Sequence, residues 1–225
     1  MSNLIFRAWR AHFLMLGIMA ALLFGPASSF DYWEGWVFLA LFVSSSLFVS
    51  LYLAEKDPRL LERRLSIGPL AEQHTGQKII MLCILAGSIG LVLVGSLDHR
   101  MAWSSLPASL VLAGDALVAL GWMIFLKVFS ENSFASATVE LAPDQKVVAT
   151  GPYAHVRHPM YAGAFIMLIG VPLALGSWWA LLISAAMMST LVWRLLAEER
   201  FLSAHLPGYC DYQAKVPDRL IPKIW

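Results

Sequence analysis

Charged residues are scarce in this chain. Only 14% of its 225 residues are Asp, Glu, Lys or Arg, whereas 59% are hydrophobic, and the mean hydropathy is +0.67. Soluble domains have about 25% charged and 45–50% apolar residues, so this composition indicates an integral membrane protein. The net charge of +1 gives no support to a nucleic-acid-binding surface, and we expect no nucleic-acid partner.

Cysteines are also few. Cys83 lies in an apolar run and Cys210 in a polar tail, so the sequence predicts neither a disulfide framework nor a cysteine metal site. His155 and His158 are three residues apart, which is a spacing that metal ligands use. No third ligand of matching type is near them in the sequence, and we therefore expect no metal.

Long hydrophobic runs are what the chain has in abundance. Six apolar blocks stand out, at roughly 12–27, 36–54, 79–97, 107–129, 161–175 and 178–196. Crossing about 30 Å of hydrocarbon takes about 20 residues, and the first four blocks reach or approach that length. The last two are shorter and are separated only by Gly176-Ser177, so they form either one long helix or a helical hairpin.

The distribution of positive charge decides between these two alternatives. If the first four blocks each cross once and 161–196 crosses twice, 15 of the 16 Lys and Arg residues share one side, with Arg100 on the other. The positive-inside rule then predicts the hairpin, with both termini, the 55–78 segment and the 130–160 loop in the cytoplasm. We expect a single all-α membrane domain, with four spans in residues 1–129 and the functional region in 130–225.

The 55–78 segment is rich in arginine and has two interpretations. Arg59, Arg63 and Arg64 either determine topology from an interfacial helix or hold a substrate head group. The first role is the ordinary one for basic residues beside a membrane span, and the charge pattern favours it.

Two polar clusters flank the last apolar block. Residues 151–163 precede it with two prolines, two histidines, an arginine and two tyrosines, and residues 194–200 follow it. A hairpin brings the clusters together, and polar groups in that position are costly without a partner or a ligand. The 130–160 loop also contains apolar residues such as Phe134 and Val139, and we expect it to be ordered.

The first cluster predicts an anion-binding helix start. Pro159 suits the first turn of a helix, which places His158 at or near the N-cap, where free N–H groups favour an anion. Arg157 adds a planar fork of donors suited to a carboxylate. Tyr161 lies on the first turn and can offer its hydroxyl to the same pocket.

The second cluster supplies carboxylates. Arg194 and Glu198 are four residues apart and share a helix face, while Glu199 points roughly a quarter-turn away. Together the clusters would fit a ligand that carries both a carboxylate and an ammonium group. In the alternative interpretation, Arg194 and Glu198 form an ordinary ion pair on the helix surface. Arg157 and Arg200 are then simple positive charges beside the membrane.

The combined pattern resembles a known family. Gly-x-Tyr, Arg-His-Pro-x-Tyr-x-Gly, an apolar hairpin and Arg-x-x-x-Glu-Glu occur in that order, followed by a tail that begins Leu206-Pro207-Gly208-Tyr209. This order resembles the isoprenylcysteine carboxyl methyltransferase family of integral membrane proteins, to which the phospholipid N-methyltransferases are related. The likeness covers about residues 130–225.

The resemblance implies a methyltransferase that binds S-adenosylmethionine in cytosolic loops over the last hairpin. We expect the protein in a bacterial inner membrane. Its acceptor is a small or lipophilic molecule, or a membrane lipid, that reacts through a carboxylate, amine or thiol. Carried over position by position, the family's cofactor contacts fall on Gln145, Lys146, Val147, Val148, Gly151, Tyr153, Arg157, His158, Pro159, Met160, Tyr161 and Glu198.

The resemblance also implies catalytic roles for residues of the second cluster. Arg194 matches the arginine that faces the acceptor. An amine or thiol acceptor would need a general base, for which Glu198 and Glu199 are the candidates.

Two other functions compete with methyl transfer. The C-terminal layout also resembles membrane sterol reductases, which bind NADPH, although those proteins are longer and have more spans. A non-enzymatic membrane scaffold that docks a partner through its loops is the other alternative. A scaffold has no need of an Arg and a Glu that face prolines across a hairpin.

Overall fold

The structure is a computed structural model that describes residues 2–65, 68–72, 75–138, 141–142 and 144–225. Val139, expected within an ordered loop, lies outside these residues. Regular secondary structure in the described part of the chain is entirely helical, as the composition predicted. Its helices are α1 (Ser2–Ala27), α2 (Trp33–Lys56), α3 (Pro58–Leu65), α4 (Thr75–Met101), α5 (Ala108–Glu131), α6 (Pro159–Ala174), α7 (Ala180–His205) and α8 (Tyr209–Lys215), with a 3-10 turn at Gly151–Ala154.

Five helices, namely α1, α2, α4, α5 and α7, are long and apolar enough to cross a membrane. This length and composition make the chain a multi-pass membrane protein. The sixth apolar helix, α6, has 16 residues, which correspond to about 24 Å at 1.5 Å per residue.

The last apolar block folds as a hairpin, so that prediction is confirmed. Gly176 has a φ of +69°, in the left-handed region that side chains disfavour, and its N–H donates to the carbonyl of Leu173. The N–H of Ser177 donates to the carbonyl of Pro172. These bonds end α6 and turn the chain back into α7.

These six apolar helices pack in a closed ring. In order around the ring, each against the next, they are α1, α2, α5, α6, α7 and α4, and α4 packs back against α1. The approach of α5 to α6 is close because glycines face each other: a Cβ on Gly114 would lie 2.3 Å from the amide nitrogen of Ala174. Small residues permit this contact between membrane helices, where packing rather than hydrophobicity drives association.

The loops are sorted between the two ends of the ring. At one end, the Tyr32 hydroxyl donates to the Leu175 carbonyl at 2.9 Å, and the Asp98 carboxylate accepts hydrogen bonds from Ser104 and Ser177. The α1–α2, α4–α5 and α6–α7 turns therefore lie together. Helix α3, the 132–158 segment and the C-terminal tail lie at the opposite end, as the charge pattern predicted.

Candidate active site

A cavity of about 270 Å³ lies at the end of the ring that carries α3, the 132–158 segment and the tail. One wall is apolar and extends a turn or more into four helices, α4 to α7, through the side chains of Met81, Ile84, Phe125, Ala164 and Leu191. The remaining walls are mixed polar and aromatic. The cavity therefore joins a polar mouth to the interior of the ring.

Most of the residues predicted from the sequence line this cavity. Gly151 and Glu199 are the two exceptions, although both are described by the structure. The predicted residues in the lining are Gln145, Lys146, Val147, Val148, Tyr153, Arg157, His158, Pro159, Met160, Tyr161, Arg194 and Glu198.

Tyr161 and Glu198 join the two halves of the hairpin. Tyr161 is on the first turn of α6 and Glu198 near the end of α7, and the tyrosine hydroxyl donates to Glu198 Oε2 at 2.6 Å. The other carboxylate oxygen, Oε1, makes no hydrogen bond with any described residue. Since Glu198 lines the cavity, this oxygen is free to accept a hydrogen bond from a ligand.

Arg194 lies one turn deeper on α7 and is buried. Its Nη2 donates to Glu72 Oε1 and to the carbonyl of Ala137, both at 2.8 Å, and its Nη1 donates to Gln77 Oε1 at 3.2 Å. Among the described residues its ion pair is with Glu72, not with Glu198 as in the surface-pair interpretation. Three acceptors therefore fix the plane of the guanidinium group at the cavity wall.

Glu199 has a different setting from the one expected of a catalytic candidate. Its carboxylate is buried between Arg157 Nε at 2.7 Å, Arg219 Nε at 2.8 Å and His158 Nε2 at 3.3 Å. Arg157 also donates through Nη1 to the carbonyls of Val216 and Pro217. These contacts bind the tail to the start of α6, and of the two acidic candidates Glu198 lines the cavity whereas Glu199 does not.

The same contacts change the expectation for Arg157. Although its side chain borders the cavity, its Nε and Nη1 are directed at Glu199 and at backbone carbonyls of the tail rather than at open space. His158 occupies the predicted N-cap position of α6 without capping the helix through its side chain. The anion-binding role predicted for this helix start is therefore taken partly by the protein's own Glu199.

Gly151 shapes the cavity instead of lining it. Its φ is +56°, and a Cβ there would lie 2.8 Å from Cδ of Glu131, so only glycine fits without displacement. It starts the 3-10 turn that presents Tyr153. The hydroxyl of Tyr153 accepts from Asn132 Nδ2 at 3.0 Å, and its carbonyl accepts from the Tyr212 hydroxyl at 2.7 Å.

The sequence did not single out Tyr209 as a site residue, although it belongs to the tail that carries the family resemblance. Its ring lines the cavity, and its hydroxyl is buried without a hydrogen-bond partner among the described residues. Burial, reinforced by the nearby Glu199 and Glu198, raises the pKa of Tyr209 above its usual value. The hydroxyl therefore stays protonated and is a donor that lacks an acceptor.

Asn132 and Tyr212 are further lining residues that the sequence did not place in the site, and Arg64, which also lines it, was one of three arginines with a head-group role as an alternative. Gln77 and Glu72, which hold Arg194, were not expected either. Arg64, Glu72 and Gln77 come from the α3–α4 region, more than 100 residues before Arg194. No spacing rule connects positions so far apart.

Comparison with known proteins finds a family whose sequence pattern this chain matches in part. Residues 110–207 match the phospholipid methyltransferase family. The match runs from α5 to just beyond α7, so it includes the 3-10 turn and the whole hairpin. It begins before residue 130, which is where the motif-based resemblance begins.

A curated relative matches a shorter stretch. The protein-S-isoprenylcysteine O-methyltransferase of Schizosaccharomyces pombe (strain 972 / ATCC 24843) is 35% identical over 80 residues, which are 33% of this chain and 32% of that protein. The likeness thus spans about a third of the length of the relative.

Proposed function

We propose that this chain transfers a methyl group from S-adenosylmethionine to a lipophilic acceptor at a membrane surface, because residues 110–207 match the phospholipid methyltransferase family. The observation that carries the proposal is the cavity, in which polar side chains from residues 145–161 and Glu198 meet an apolar wall between four helices. A polar methyl donor and an apolar acceptor can both reach such a site.

The residues of the cavity fit S-adenosylmethionine, which is an amino acid joined to a nucleoside. Glu198 Oε1 is an acceptor for its ammonium group or its hydroxyls, and the unpartnered Tyr209 hydroxyl is a donor for its carboxylate. The rings of Tyr153 and Phe134 offer apolar surface for the base. The volume of about 270 Å³ is close to the lower end of the 300–1,000 Å³ typical of small-molecule sites.

When bound, the cofactor supplies an electrophilic methyl group on a sulfonium. The protein's task in an in-line displacement is proximity and alignment. Arg194, fixed by Glu72, Gln77 and the Ala137 carbonyl, is preorganised to orient the nucleophile of the acceptor. Exclusion of water by the ring of helices protects the methyl group from hydrolysis.

The requirement for a base depends on the acceptor. A carboxylate is methylated to an ester without losing a proton. An amine or a thiol loses one, and Glu198 is the carboxylate positioned in the cavity to accept it. We propose Glu198 for that role, in addition to its contact with the cofactor.

The proposal extends to the orientation of the protein. The basic loops and the tail lie at the cavity end of the ring, so the positive-inside rule favours a cavity that opens to the cytoplasm, with both termini on that side. This placement, in a bacterial inner membrane, would give a soluble cofactor direct access, while the acceptor would enter from the lipid.

Calorimetry of the purified protein tests the function. S-adenosylhomocysteine, the demethylated product, should bind with a measurable heat at one site per chain, and NADPH should give none. Binding of NADPH without S-adenosylhomocysteine would establish the reductase instead. If neither S-adenosylhomocysteine nor NADPH binds, the result would favour the scaffold.

A further inference from the structure

Arg64 brings a cation into the cavity from outside the region that matches the family. It lies on α3, and its side chain lines the cavity together with residues of α5, α6 and α7. Helix α3 is fixed in place because Leu60 and Leu61 are fully buried and because Asp57 Oδ1 caps the N–H of Leu60 at 3.0 Å. Arg64 follows these leucines at the three- and four-residue spacing that shares a helix face, so it points inward with them.

Among the described residues, the groups that Arg64 contacts through its guanidinium are neutral. Its Nη1 donates to the carbonyls of Ala135 and Ser136 at 3.4 and 3.2 Å and approaches Met160 Sδ at 3.6 Å. The guanidinium carbon lies 4.5 Å from the centre of the Phe129 ring. These contacts hold the group in place without offsetting its charge.

Arg194 and Arg157, the two buried arginines of the site, differ in this respect from Arg64, which is partly buried. Arg194 is paired with Glu72 and Arg157 with Glu199, whereas no described carboxylate lies within 4 Å of Arg64. Burial and the neighbouring charge of Arg194 lower the pKa of Arg64 to about 10, which still leaves it protonated at neutral pH. A cation that is partly withdrawn from water in this way is stabilised when an anion accompanies it.

We propose that Arg64 binds the anionic group of the methyl acceptor, an oxyanion attached to a chain that occupies the apolar wall. The inference rests on the proposed function and adds the charge of the acceptor to it. Met160 connects the two parts of the site, since it touches Arg64 and belongs to the His158–Tyr161 segment that lines the cavity. A carboxylate and the phosphate of a lipid head group both satisfy this chemistry.

Matched amphiphiles test the proposal. Laurate, dodecyl phosphate and 1-dodecanol share a twelve-carbon chain and differ in the head group, and their binding to the full-length protein can be compared in non-ionic detergent at pH 8. The quantity of interest is the ratio of anion affinity to alcohol affinity, because partition into micelles cancels between protein variants. The wild type should prefer at least one anion by roughly tenfold or more, as expected for a hydrogen-bonded charge.

Three variants test whether Arg64 causes the preference for the anion. Arg64→Gln should lower the ratio roughly tenfold, and Arg64→Lys should keep part of it because the charge remains. Arg59→Gln is the matched control, since Arg59 is an exposed arginine on the same helix that does not line the cavity. S-adenosylhomocysteine affinity should stay within twofold in all three, which also shows that each variant is folded.

An unchanged ratio in Arg64→Gln, or an equal loss in Arg59→Gln, would overturn the inference. A parallel loss of S-adenosylhomocysteine affinity in Arg64→Gln would overturn it too, by assigning Arg64 to the cofactor or to folding. If the wild type binds no S-adenosylhomocysteine but its anion preference depends on Arg64, the proposed function fails and the anion site stands. The preferred anion, laurate or dodecyl phosphate, distinguishes a carboxylate from a lipid phosphate.

Discussion

Arg194 and Glu198 lie on adjacent turns of α7, and their contacts suit them to different roles in the cavity. The deeper arginine is held by acceptors from three separate parts of the chain, whereas the carboxylate is held on one oxygen by Tyr161 and has the other available. A group fixed on several sides is suited to alignment, and a group with a free oxygen is suited to ligand binding. The two residues should therefore respond differently to substitution.

Arg194→Lys should reduce methyl transfer by roughly a hundredfold or more while S-adenosylhomocysteine affinity stays within a few-fold. Lysine keeps the charge but cannot reproduce the planar fork that contacts Glu72, Gln77 and Ala137, so alignment is lost. Single-turnover transfer rates and calorimetry measure the two effects separately. Arg200→Lys, an exposed arginine on the same helix, is the control and should change neither. Parallel losses of affinity and rate would make Arg194 a cofactor or folding residue.

Tyr161→Phe should weaken S-adenosylhomocysteine binding by about 0.5–1.5 kcal/mol, because the hydrogen bond that orients Glu198 is removed. Glu198→Ala should cost more, about 1.5–3 kcal/mol, if the carboxylate meets a charged group of the ligand. Calorimetry at one pH gives both values. Tyr52→Phe is a suitable control, since the Tyr52 hydroxyl makes no hydrogen bond among the described residues. Wild-type affinity in Glu198→Ala would remove Glu198 from the cofactor site.

At the scale of the elements, the tail and the start of α6 behave as one unit. The N–H groups of Arg157 and His158 donate to the carbonyls of Asp218 and Arg219, both at 2.9 Å. The Glu199 carboxylate of α7 joins the same side chains from the other side. The tail therefore fixes the backbone that leads into Pro159 and Tyr161, although it contributes few lining residues.

Glu199→Gln should destabilise the protein by about 3–5 kcal/mol, because it leaves Arg157 buried without its counter-charge. His158→Ala should weaken cofactor binding, because His158 contacts Glu199 and leads into the start of α6. Thermal unfolding in detergent, followed by tryptophan fluorescence, measures the first effect. Glu55→Gln removes an exposed carboxylate that pairs with Lys56 and should leave the midpoint unchanged. An unchanged midpoint in Glu199→Gln as well would show that the buried pair contributes nothing to stability.

Much of the helical architecture was predictable because hydrophobic length and positive charge are properties of short stretches of sequence. The hairpin followed from Gly176 and from the charges on either side of 161–196. The ends of the helices did not: the first apolar block begins at residue 12, whereas α1 begins at Ser2 and includes Arg7 and Arg10. A helix continues past the edge of the hydrocarbon with polar residues, and an apolar run cannot show where it ends.

The sequence predicted the candidate site only for residues that lie within short, continuous motifs. Residues 145–161 and 194–198 carry the motif, and most of them line the cavity. The roles of Glu199 and Arg157 were not visible, because their mutual ion pair and the tail carbonyls depend on tertiary contacts. The sequence offers a head-group role to Arg59, Arg63 and Arg64 alike, and nothing in it distinguishes Arg64 from the other two. The burial of Leu60 and Leu61 orients α3 so that Arg64 lines the cavity, and this orientation distinguishes Arg64 from the other two arginines.

At the scale of the whole molecule, the ring has two chemically different ends. The end with the α1–α2, α4–α5 and α6–α7 turns carries exposed aromatic residues such as Trp33, Trp36, Trp103, Trp178 and Trp179. The other end carries the cavity and most of the basic residues. Interfacial tryptophans and cytoplasmic Lys and Arg residues are both expected of a membrane protein, so the two ends should face different compartments.

Cysteine labelling in intact cells tests this arrangement. Cys83 and Cys210 are both exposed and must first be replaced by serine. In that background, Arg59→Cys, Thr150→Cys and Lys215→Cys should react only after the cells are opened, because these exposed positions share the cavity end.

Phe30→Cys and Trp103→Cys, at the other end, should react with an impermeant reagent added outside. The decisive position is 215, because it follows α7 and its side depends on whether the block 161–196 crosses twice. Outside labelling at 215 together with cytoplasmic labelling at 150 would mean that the hairpin does not return across the membrane. Residues 145–161 could then not share a cavity with Glu198, and both the proposed site and the anion role of Arg64 would be excluded.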